Sequence, residues 1–220
     1  MIALAIELST AHASAALFKD EQLIGERAWH ERYVRKAQLF GELSGLLEES
    51  RTDVSAIHTF IVGRGPGSYS GLRCAIAAAT GLALPGKRTV FAVSSGEALA
   101  LETARREQAG AVAVLGDARR RMLWTGVFRA HGAEMEVMKP WTVIQAAELG
   151  AVLREPCVAV TPDWQHLSKI VAAETLPHVR WVQEARSPHA RDVGRLGLLK
   201  LGAGHPSEAL TPIYTHPPVG

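Results

Sequence analysis

The stretch Gly63-Arg64-Gly65-Pro66-Gly67-Ser68-Tyr69-Ser70-Gly71-Leu72-Arg73 separates an apolar run at 57–62 from an alanine-rich helical pattern at 72–84. Glycine adopts positive φ angles and lets another chain approach the backbone closely. The N–H groups that open a helix carry a partial positive charge, which favours anions. The stretch therefore predicts a strand, a glycine loop and a helix, and the loop is suited to an anion or a partner.

This loop differs from the common phosphate-binding and nucleophile motifs. No Gly-Lys-Ser/Thr triplet completes a Walker loop. A G-x-G-x-x-G pattern fails because Ser68 and Ser70 occupy the third-glycine position of its two registers. The centre of a nucleophile elbow is a serine, whereas Tyr69 stands there in this chain.

The loop glycines carry a specific expectation. At least one of Gly65, Gly67 and Gly71 should have a positive φ or a contact too close for a Cβ atom. We expect the backbone of the loop to face outward, toward a partner or an anion. Alanine at these positions should then impair function more than stability.

Hydrophobic periodicity divides the chain into two similar halves, each with three strands followed by alternating helices and strands. The runs at 2–8, 13–19 and 22–29 predict an antiparallel meander. Apolar residues at three- and four-residue steps predict a helix at 36–49. Further strands are predicted at 57–62, 90–93, 111–115, 123–129, 134–138 and 158–161, and further helices at 72–84, from Ser94 or Ser95 to near Arg106, and at 143–153, 164–173 and 189–201.

Composition and charge narrow the class of protein. Hydrophobic residues make up 47% of the chain and charged residues 21%, as is typical of globular proteins. The short apolar run before Ser9 has no basic leader, so it predicts a first strand and neither a signal peptide nor a membrane span. We therefore expect a cytoplasmic protein without membrane contact. The net charge of +2 gives no general attraction to nucleic acid.

Three more motifs accompany the glycine loop. They are the opening strand and turn Met1–Thr10, Val93-Ser94-Ser95 at a helix start, and Asp117-Ala118-Arg119 in the second half. Together with the loop they resemble the TsaB (YeaZ) family, whose older label is glycoprotease-like or peptidase M22-like. The resemblance runs from Met1 to the Pro-Ile-Tyr at 212–214.

The resemblance implies an α/β protein with the duplicated actin/hexokinase/Hsp70-like (ASKHA) fold. This fold has two ribonuclease H-like subdomains, and the second is expected to be reduced. The subdomains are expected at 1–106, with the helix 189–201 packing back on the first, and at 107–188.

The family's members are partners of TsaD in making threonylcarbamoyladenosine at position 37 of tRNA. The resemblance thus implies a non-catalytic subunit that binds and activates TsaD, with a TsaE-like ATPase as a further partner. It implies contact with tRNA only through the complex, a homodimer in isolation and no cofactor, although weak nucleotide binding stays open.

Glu7 bears on the alternative of an ATP-binding enzyme of the same superfamily. Nucleotide-using members carry an aspartate at the end of the first strand, and the extra methylene of glutamate displaces the carboxylate by roughly 1.5 Å against strict metal geometry. Glu7 could instead cap the Ser9-Thr10 turn. The candidate loop for an anion or a partner comprises Glu7, Ser9, Arg64, Gly65, Gly67, Ser68 and Gly71.

A glycoprotease-like hydrolase is the other alternative, and it lacks a catalytic set. His30-Glu31 begins like H-E-x-x-H, but Val34 replaces the second histidine. TsaD proteins carry an H-x-x-x-H metal pair, and no two histidines in this chain have that spacing. We expect neither catalytic nor metal-binding residues.

The helices 36–49 and 72–84 are the candidate partner surface, because small residues let helices approach closely. An all-round apolar helix can equally belong to the core. The candidate interface residues are Leu39, Leu43 and Leu46, expected as exposed anchors, and Arg73, Ala77 and Thr80.

Two arginine clusters, Arg105-Arg106 and Arg119-Arg120-Arg121, leave two interpretations open. They are solvated surface charges, or they form a patch that faces tRNA. Only Arg119 belongs to the family's D-A-R motif, so Arg120 and Arg121 inherit no role.

Overall fold

The computed structural model describes residues 1–31, 38–132, 134–171 and 176–215, which divide into two compact units. The first unit comprises Met1–Ala98 and Pro188–Ile213, and the second comprises Leu99–Ser187. This division falls inside the helix Ser95–Glu107, whereas the boundary expected from the sequence lies near the end of that helix. The subdomain limits at 106 and 188 stay a prediction.

The elements alternate between strands and helices along the chain. In chain order they are β1 (Ile2–Glu7), β2 (His12–Lys19), β3 (Gln22–His30), α1 (Leu39–Glu49), β4 (Thr59–Gly63), α2 (Tyr69–Ala83), β5 (Thr89–Val93), α3 (Ser95–Glu107), β6 (Ala111–Asp117), β7 (Met122–His131), β8 (Glu134–Gln145), α4 (Leu149–Val152), β9 (Cys157–Thr161), α5 (Trp164–Val171), β10 (Val179–Ala185) and α6 (Ala190–Gly202).

The first unit is built on a five-stranded sheet in the order β3-β2-β1-β4-β5. The strands β1 to β3 form an antiparallel meander, and β4 and β5 continue the sheet in parallel. Leu4 and Ile6 of β1 join the apolar cluster beneath α1 and α2. On the opposite face, Gly194 of α6 packs against Phe18 and Ala5. Both faces of β1 are covered, which explains why its sequence is almost continuously apolar.

The second unit repeats this plan. Its five-stranded sheet has the order β10-β9-β6-β7-β8, which is the first order read from the other edge. The strands β6 to β8 form the antiparallel meander, and β9 and β10 are parallel to β6. The described residues therefore show the duplicated ASKHA-type α/β fold that the resemblance implied.

One predicted element of the second unit is wrong. The segment 143–145 continues β8, and the predicted helix 143–153 is reduced to a 3₁₀ turn and the short α4. Val143 pairs with Trp124, and Ile144 pairs with Leu123. These two β-branched residues favour a strand. Their packing against the cross-strand partners stabilises the strand more than the helix that the apolar spacing predicted.

Parts of two predicted helices, 36–37 and 172–173, lie outside the described residues, as do Val34 and the C-terminal 216–220. Among the helices that the structure describes, none is both long and apolar enough to cross a membrane.

Candidate functional site

The glycine loop connects the end of β4 to α2 and packs on the turn that follows β1. The Ser68 hydroxyl oxygen accepts a hydrogen bond from the Gly71 N–H at 3.3 Å and so caps α2. The Ser68 N–H donates to the Ser9 carbonyl oxygen at 2.7 Å. This cap explains why α2 begins at Tyr69, earlier than the predicted start at residue 72.

Glycine is required at three positions of this loop. Gly65 has a φ of +97°, which other residues rarely adopt. A Cβ atom on Gly67 would overlap the Ser9 carbonyl group, and one on Gly71 would overlap the Leu8 carbonyl oxygen. The expected strain or close contact is therefore confirmed. The expectation that the loop backbone faces outward is wrong at Gly67 and Gly71, because both pack on the chain's own β1–β2 turn.

Glu7 ends β1 with its carboxyl group turned into the protein. The residue is 1% exposed, and its Oε1 accepts a hydrogen bond from the Ser9 N–H at 2.5 Å. The other oxygen lies over Gly63, where a Cβ atom would overlap it, beside the Ser95 hydroxyl. Burial raises the pKa of Glu7, and the contacts with Ser9 and Ser95 oppose that rise. The carboxyl group thus caps the turn after β1 and does not reach the surface.

Two serines at the start of α3 fasten Gly65, a role that the sequence analysis did not assign. The Ser95 hydroxyl oxygen accepts from the Gly65 N–H at 3.0 Å. The Ser94 hydroxyl donates to the Gly65 carbonyl oxygen at 3.1 Å and accepts from the Glu97 N–H at 3.2 Å. Their signal in the sequence was a serine pair directly before a helix, where capping residues are preferred.

Arg64 is bound by the segment that follows α6. Its Nε donates to the Thr211 carbonyl oxygen and its Nη1 to Glu208 Oε2, both at 2.8 Å. The Lys200 ammonium group lies 3.5 Å from Glu208 Oε1 and donates to Glu97 at 2.7 Å. The Arg64 side chain is only 18% exposed. It therefore holds the glycine loop to the C-terminal segment through its Nε and Nη1 donors.

The outward placement predicted for three leucines of α1 is wrong. Leu39, Leu43 and Leu46 are each at most 3% exposed and belong to the apolar cluster on the first sheet. A single apolar stripe on a helix first covers the core, and here the sheet beneath α1 takes it. The outer face of α1 presents Phe40, which is 55% exposed.

The outer face of α2 carries the remaining interface candidates. Arg73, Ala77 and Thr80 are exposed, and they lie at three- and four-residue steps along one side of the helix. Tyr69, 59% exposed, and Leu84, 74% exposed, stand at the two ends of this side. We call these five residues the α2 surface.

The Arg73 side chain packs on Tyr69 at one end of the α2 surface. Its guanidinium carbon lies 5.1 Å from the centre of the Tyr69 ring, and its Nη1 donates to the Tyr69 hydroxyl at 2.7 Å. At the other end, a Cβ atom on Gly81 would meet no atom within 4 Å. Between the two ends, the exposed residues are the small Ala77 and Thr80.

No metal centre is visible in the part of the chain that the structure describes, where no three or more His, Cys, Asp or Glu side chains are grouped to hold an ion.

Comparisons with known proteins agree on one family. The family model described as "TsaD: tRNA N6-adenosine threonylcarbamoyltransferase" matches residues 36–160. The tRNA threonylcarbamoyladenosine biosynthesis protein TsaB of Escherichia coli (strain K12) is 30% identical over 171 residues, which cover 74% of this chain and 71% of that protein. TsaB of Bacillus subtilis (strain 168) is 27% identical over 155 residues, 70% of this chain and 67% of that protein.

A solved structure extends the likeness to almost the whole chain. YeaZ from Pseudomonas aeruginosa superposes with a TM-score of 0.80 at 26% sequence identity, covering 97% of this chain and 99% of that chain. From its sequence relatives and its fold together, this chain belongs to the TsaB (YeaZ) family.

Proposed function

We propose that this chain is a non-catalytic subunit in the biosynthesis of threonylcarbamoyladenosine in tRNA. In this role it binds a TsaD-like protein and activates it in the modification of adenosine 37. The names of the two relatives support the pathway. A family model named for TsaD also matches this chain, which supports the proposal that the chain and its TsaD-like partner have related folds.

The observation that carries this proposal is the α2 surface. A small, exposed middle at Ala77 lets a second helix approach closely, and Tyr69 and Arg73 supply residue types that are enriched at protein interfaces. The opposite side of α2 is already used, because Ala75, Ala78 and Ala79 are buried on the sheet. The exposed side of α2 is therefore available for a partner.

Glu7 supports the absence of a catalytic role. A carboxylate that binds metal-bound water near phosphates must reach the surface of a cleft, whereas Glu7 is 1% exposed and caps its own turn. A Cβ atom on Gly63 would overlap the Glu7 carboxyl group, so the glutamate side chain fills the space beside the glycine loop. We therefore propose that the chain needs no nucleotide cofactor, and that a TsaE-like ATPase supplies nucleotide hydrolysis to the complex.

The same α2 surface suggests self-association. A surface that fits a helix of a related fold can fit a second copy of itself, since a two-fold interface uses the same patch twice. We propose that the isolated chain forms a homodimer through this surface.

The test is a reconstituted reaction with the TsaD-like and TsaE-like proteins of the same organism and an unmodified tRNA transcript. Ala77→Glu places a charge and added bulk in the middle of the α2 surface. Because Ala77 is exposed, the melting temperature should hardly change. Binding of the TsaD-like protein, measured by calorimetry, and modification of adenosine 37 should both be strongly reduced.

Ala151→Glu is the matched control, since Ala151 is an exposed alanine on α4 of the other unit. It should leave binding and modification unchanged. Full partner affinity in Ala77→Glu would place the interface elsewhere. ATP turnover by the chain alone that disappears in Glu7→Gln would instead favour the ATP-binding enzyme.

A further inference from the structure

The turn between β6 and β7 displays three successive arginines in an uncommon backbone conformation. The turn is closed by hydrogen bonds from the Ala118 N–H to the Met122 carbonyl oxygen and from the Met122 N–H to the Arg119 carbonyl oxygen, both at 2.9 Å. Between them, Arg119, Arg120 and Arg121 have φ angles of 65°, 52° and 62°. Positive φ angles suit the twist of a hairpin, but glycine and asparagine adopt them at the lowest cost.

Two of the three arginines at this tip, Arg120 and Arg121, bring no side-chain contact that explains their presence in the part of the chain that the structure describes. A left-handed backbone is unfavourable for a residue with a side chain beyond Cβ. Arg120 and Arg121 are exposed, and neither side chain forms a hydrogen bond or an ion pair with the described residues. Unfavourable backbone conformations that local contacts do not explain are concentrated at functional sites.

The carboxylates near the tip are turned toward its base. Asp117 Oδ1 accepts from the Arg119 N–H at 2.8 Å, and its side chain is 16% exposed. Asp163 Oδ2 accepts from the Asp117 N–H at 2.8 Å. His166, 64% exposed, places its Nε2 at 3.7 Å from Asp117 Oδ2. The Arg119 Nη1 lies at the same distance, 3.7 Å, from Asp117 Oδ2. Asp117 thus faces His166 and Arg119, whereas the exposed Arg120 and Arg121 have no carboxylate partner among the described residues.

The other arginine cluster has a different environment. The Arg106 guanidinium group lies 3.6 Å from Glu184 Oε1, with both side chains more than half exposed. An opposite charge at this distance lowers the attraction of such a site for phosphate. Arg119 has a similar carboxylate neighbour, but Arg120 and Arg121 leave two adjacent exposed guanidinium groups without one in the described part of the chain, so the tip at 119–121 is the stronger candidate.

We infer that the arginine tip, Arg119–Arg121, binds phosphate groups of an RNA backbone. Guanidinium groups stay charged, are weakly hydrated and donate in pairs to phosphate oxygens. Contacts of this kind position a nucleic acid without reading its bases. The choice of RNA rests on the proposed function, in which tRNA is the substrate of the complex. The inference goes beyond it, since this chain then touches tRNA itself.

The test uses the full chain in complex with the TsaD-like protein and an unmodified tRNA transcript as the probe. The double variant Arg120→Gln/Arg121→Gln removes the two unpaired guanidinium groups. Each lost phosphate contact should lower the slope of log affinity against log salt concentration by about 0.7–0.9. We expect weaker binding at low salt and a slope reduced by about one to two.

Arg51→Gln/Lys87→Gln is the matched control. Arg51 and Lys87 are exposed cations with φ angles of 48° and 49°, so the control removes equal charge from similar backbone positions in the first unit. It should leave the slope unchanged. An equal loss in the control would show a general charge effect and overturn the inference.

Two further outcomes separate this inference from the proposed function. If tRNA binding is unchanged but the TsaD-like protein binds the tip variant more weakly, the tip contacts protein and the inference is wrong. If the wild-type complex fails to modify adenosine 37 while the tip variant still loses salt-dependent RNA binding, the inference stands and the proposed function fails.

Discussion

Glu7 shows how a single methylene changes what the end of β1 can do. A shorter aspartate would end near the turn, whereas Glu7 extends over Gly63 toward Ser95. Burial there raises its pKa, because the charged form loses hydration that the hydrogen bond from Ser9 only partly replaces. The sequence predicted the turn-capping role as one of two possibilities. It could not show that the side chain is buried, since burial depends on α3 and β4, which are distant in sequence.

The raised pKa predicts a pH dependence of stability. The folded protein holds the Glu7 proton to a higher pH than the unfolded chain, whose ordinary value is 4.5. The unfolded state therefore loses its proton first, and the free energy of unfolding falls as the pH rises above that value. Glu7→Gln keeps an oxygen for the Ser9 N–H and removes the titration. Its free energy of unfolding should fall less between about pH 4 and 8.

Urea unfolding of both proteins across this pH range measures the difference. Glu48→Gln is a control on an exposed position of α1 and should follow the wild type. Parallel curves for Glu7→Gln and the wild type would mean that Glu7 titrates alike in the folded and unfolded states.

On the scale of elements, periodicity predicted the position of a helix such as α1 better than it predicted which of its faces is exposed. The predicted apolar face of α1 is present, but an apolar face can pack on the sheet of its own unit as well as on a partner. Leu43, 3% exposed, shows which of the two covers it. The spacing of residues on a helix gives the direction of the stripe, and only the path of the remaining chain decides what lies against it.

The two faces of α2 predict opposite effects of the same substitution. Gly71→Ala would push a methyl group into the Leu8 carbonyl oxygen, and a backbone group cannot move aside as a flexible side chain can. It should destabilise the protein by more than about 1 kcal/mol.

Gly81→Ala adds a methyl group to open space on the same helix. It should stabilise by up to about 1 kcal/mol, since alanine favours a helix over glycine.

Chemical denaturation of the two variants and the wild type tests this pair. The sequence alone predicts that alanine in the loop impairs function more than stability, whereas the packing of Gly71 on the turn after β1 predicts a large loss of stability. Equal stability of Gly71→Ala and the wild type would show that the turn after β1 shifts easily.

At the scale of the whole molecule, most of the order of the elements was predictable because it is repeated, but the strand β10 (Val179–Ala185) was not among the predicted elements. Three antiparallel strands followed by two parallel ones occur in both units, so each half supports the interpretation of the other. The contacts that organise the glycine loop were not predictable. Arg64 and Glu208 are separated by 144 residues, and no periodic pattern connects them.

The α2 surface predicts that self-association and partner binding exclude each other. The same residues, centred on Ala77, would face a second copy in the homodimer and the TsaD-like protein in the complex, and one helix face cannot hold both. Adding the TsaD-like protein should therefore convert the homodimer into a complex with one copy of each chain at this surface. Sedimentation velocity of the chain alone and with increasing partner measures the change.

Ala77→Glu should give a monomer that also fails to bind the partner, while Ala151→Glu should remain a homodimer and bind normally. The pairing of these two losses is the informative result, because charge in a desolvated interface weakens every complex that buries it. A homodimer that persists in Ala77→Glu, or that stays intact while the TsaD-like protein binds, would show that two separate surfaces serve the two associations.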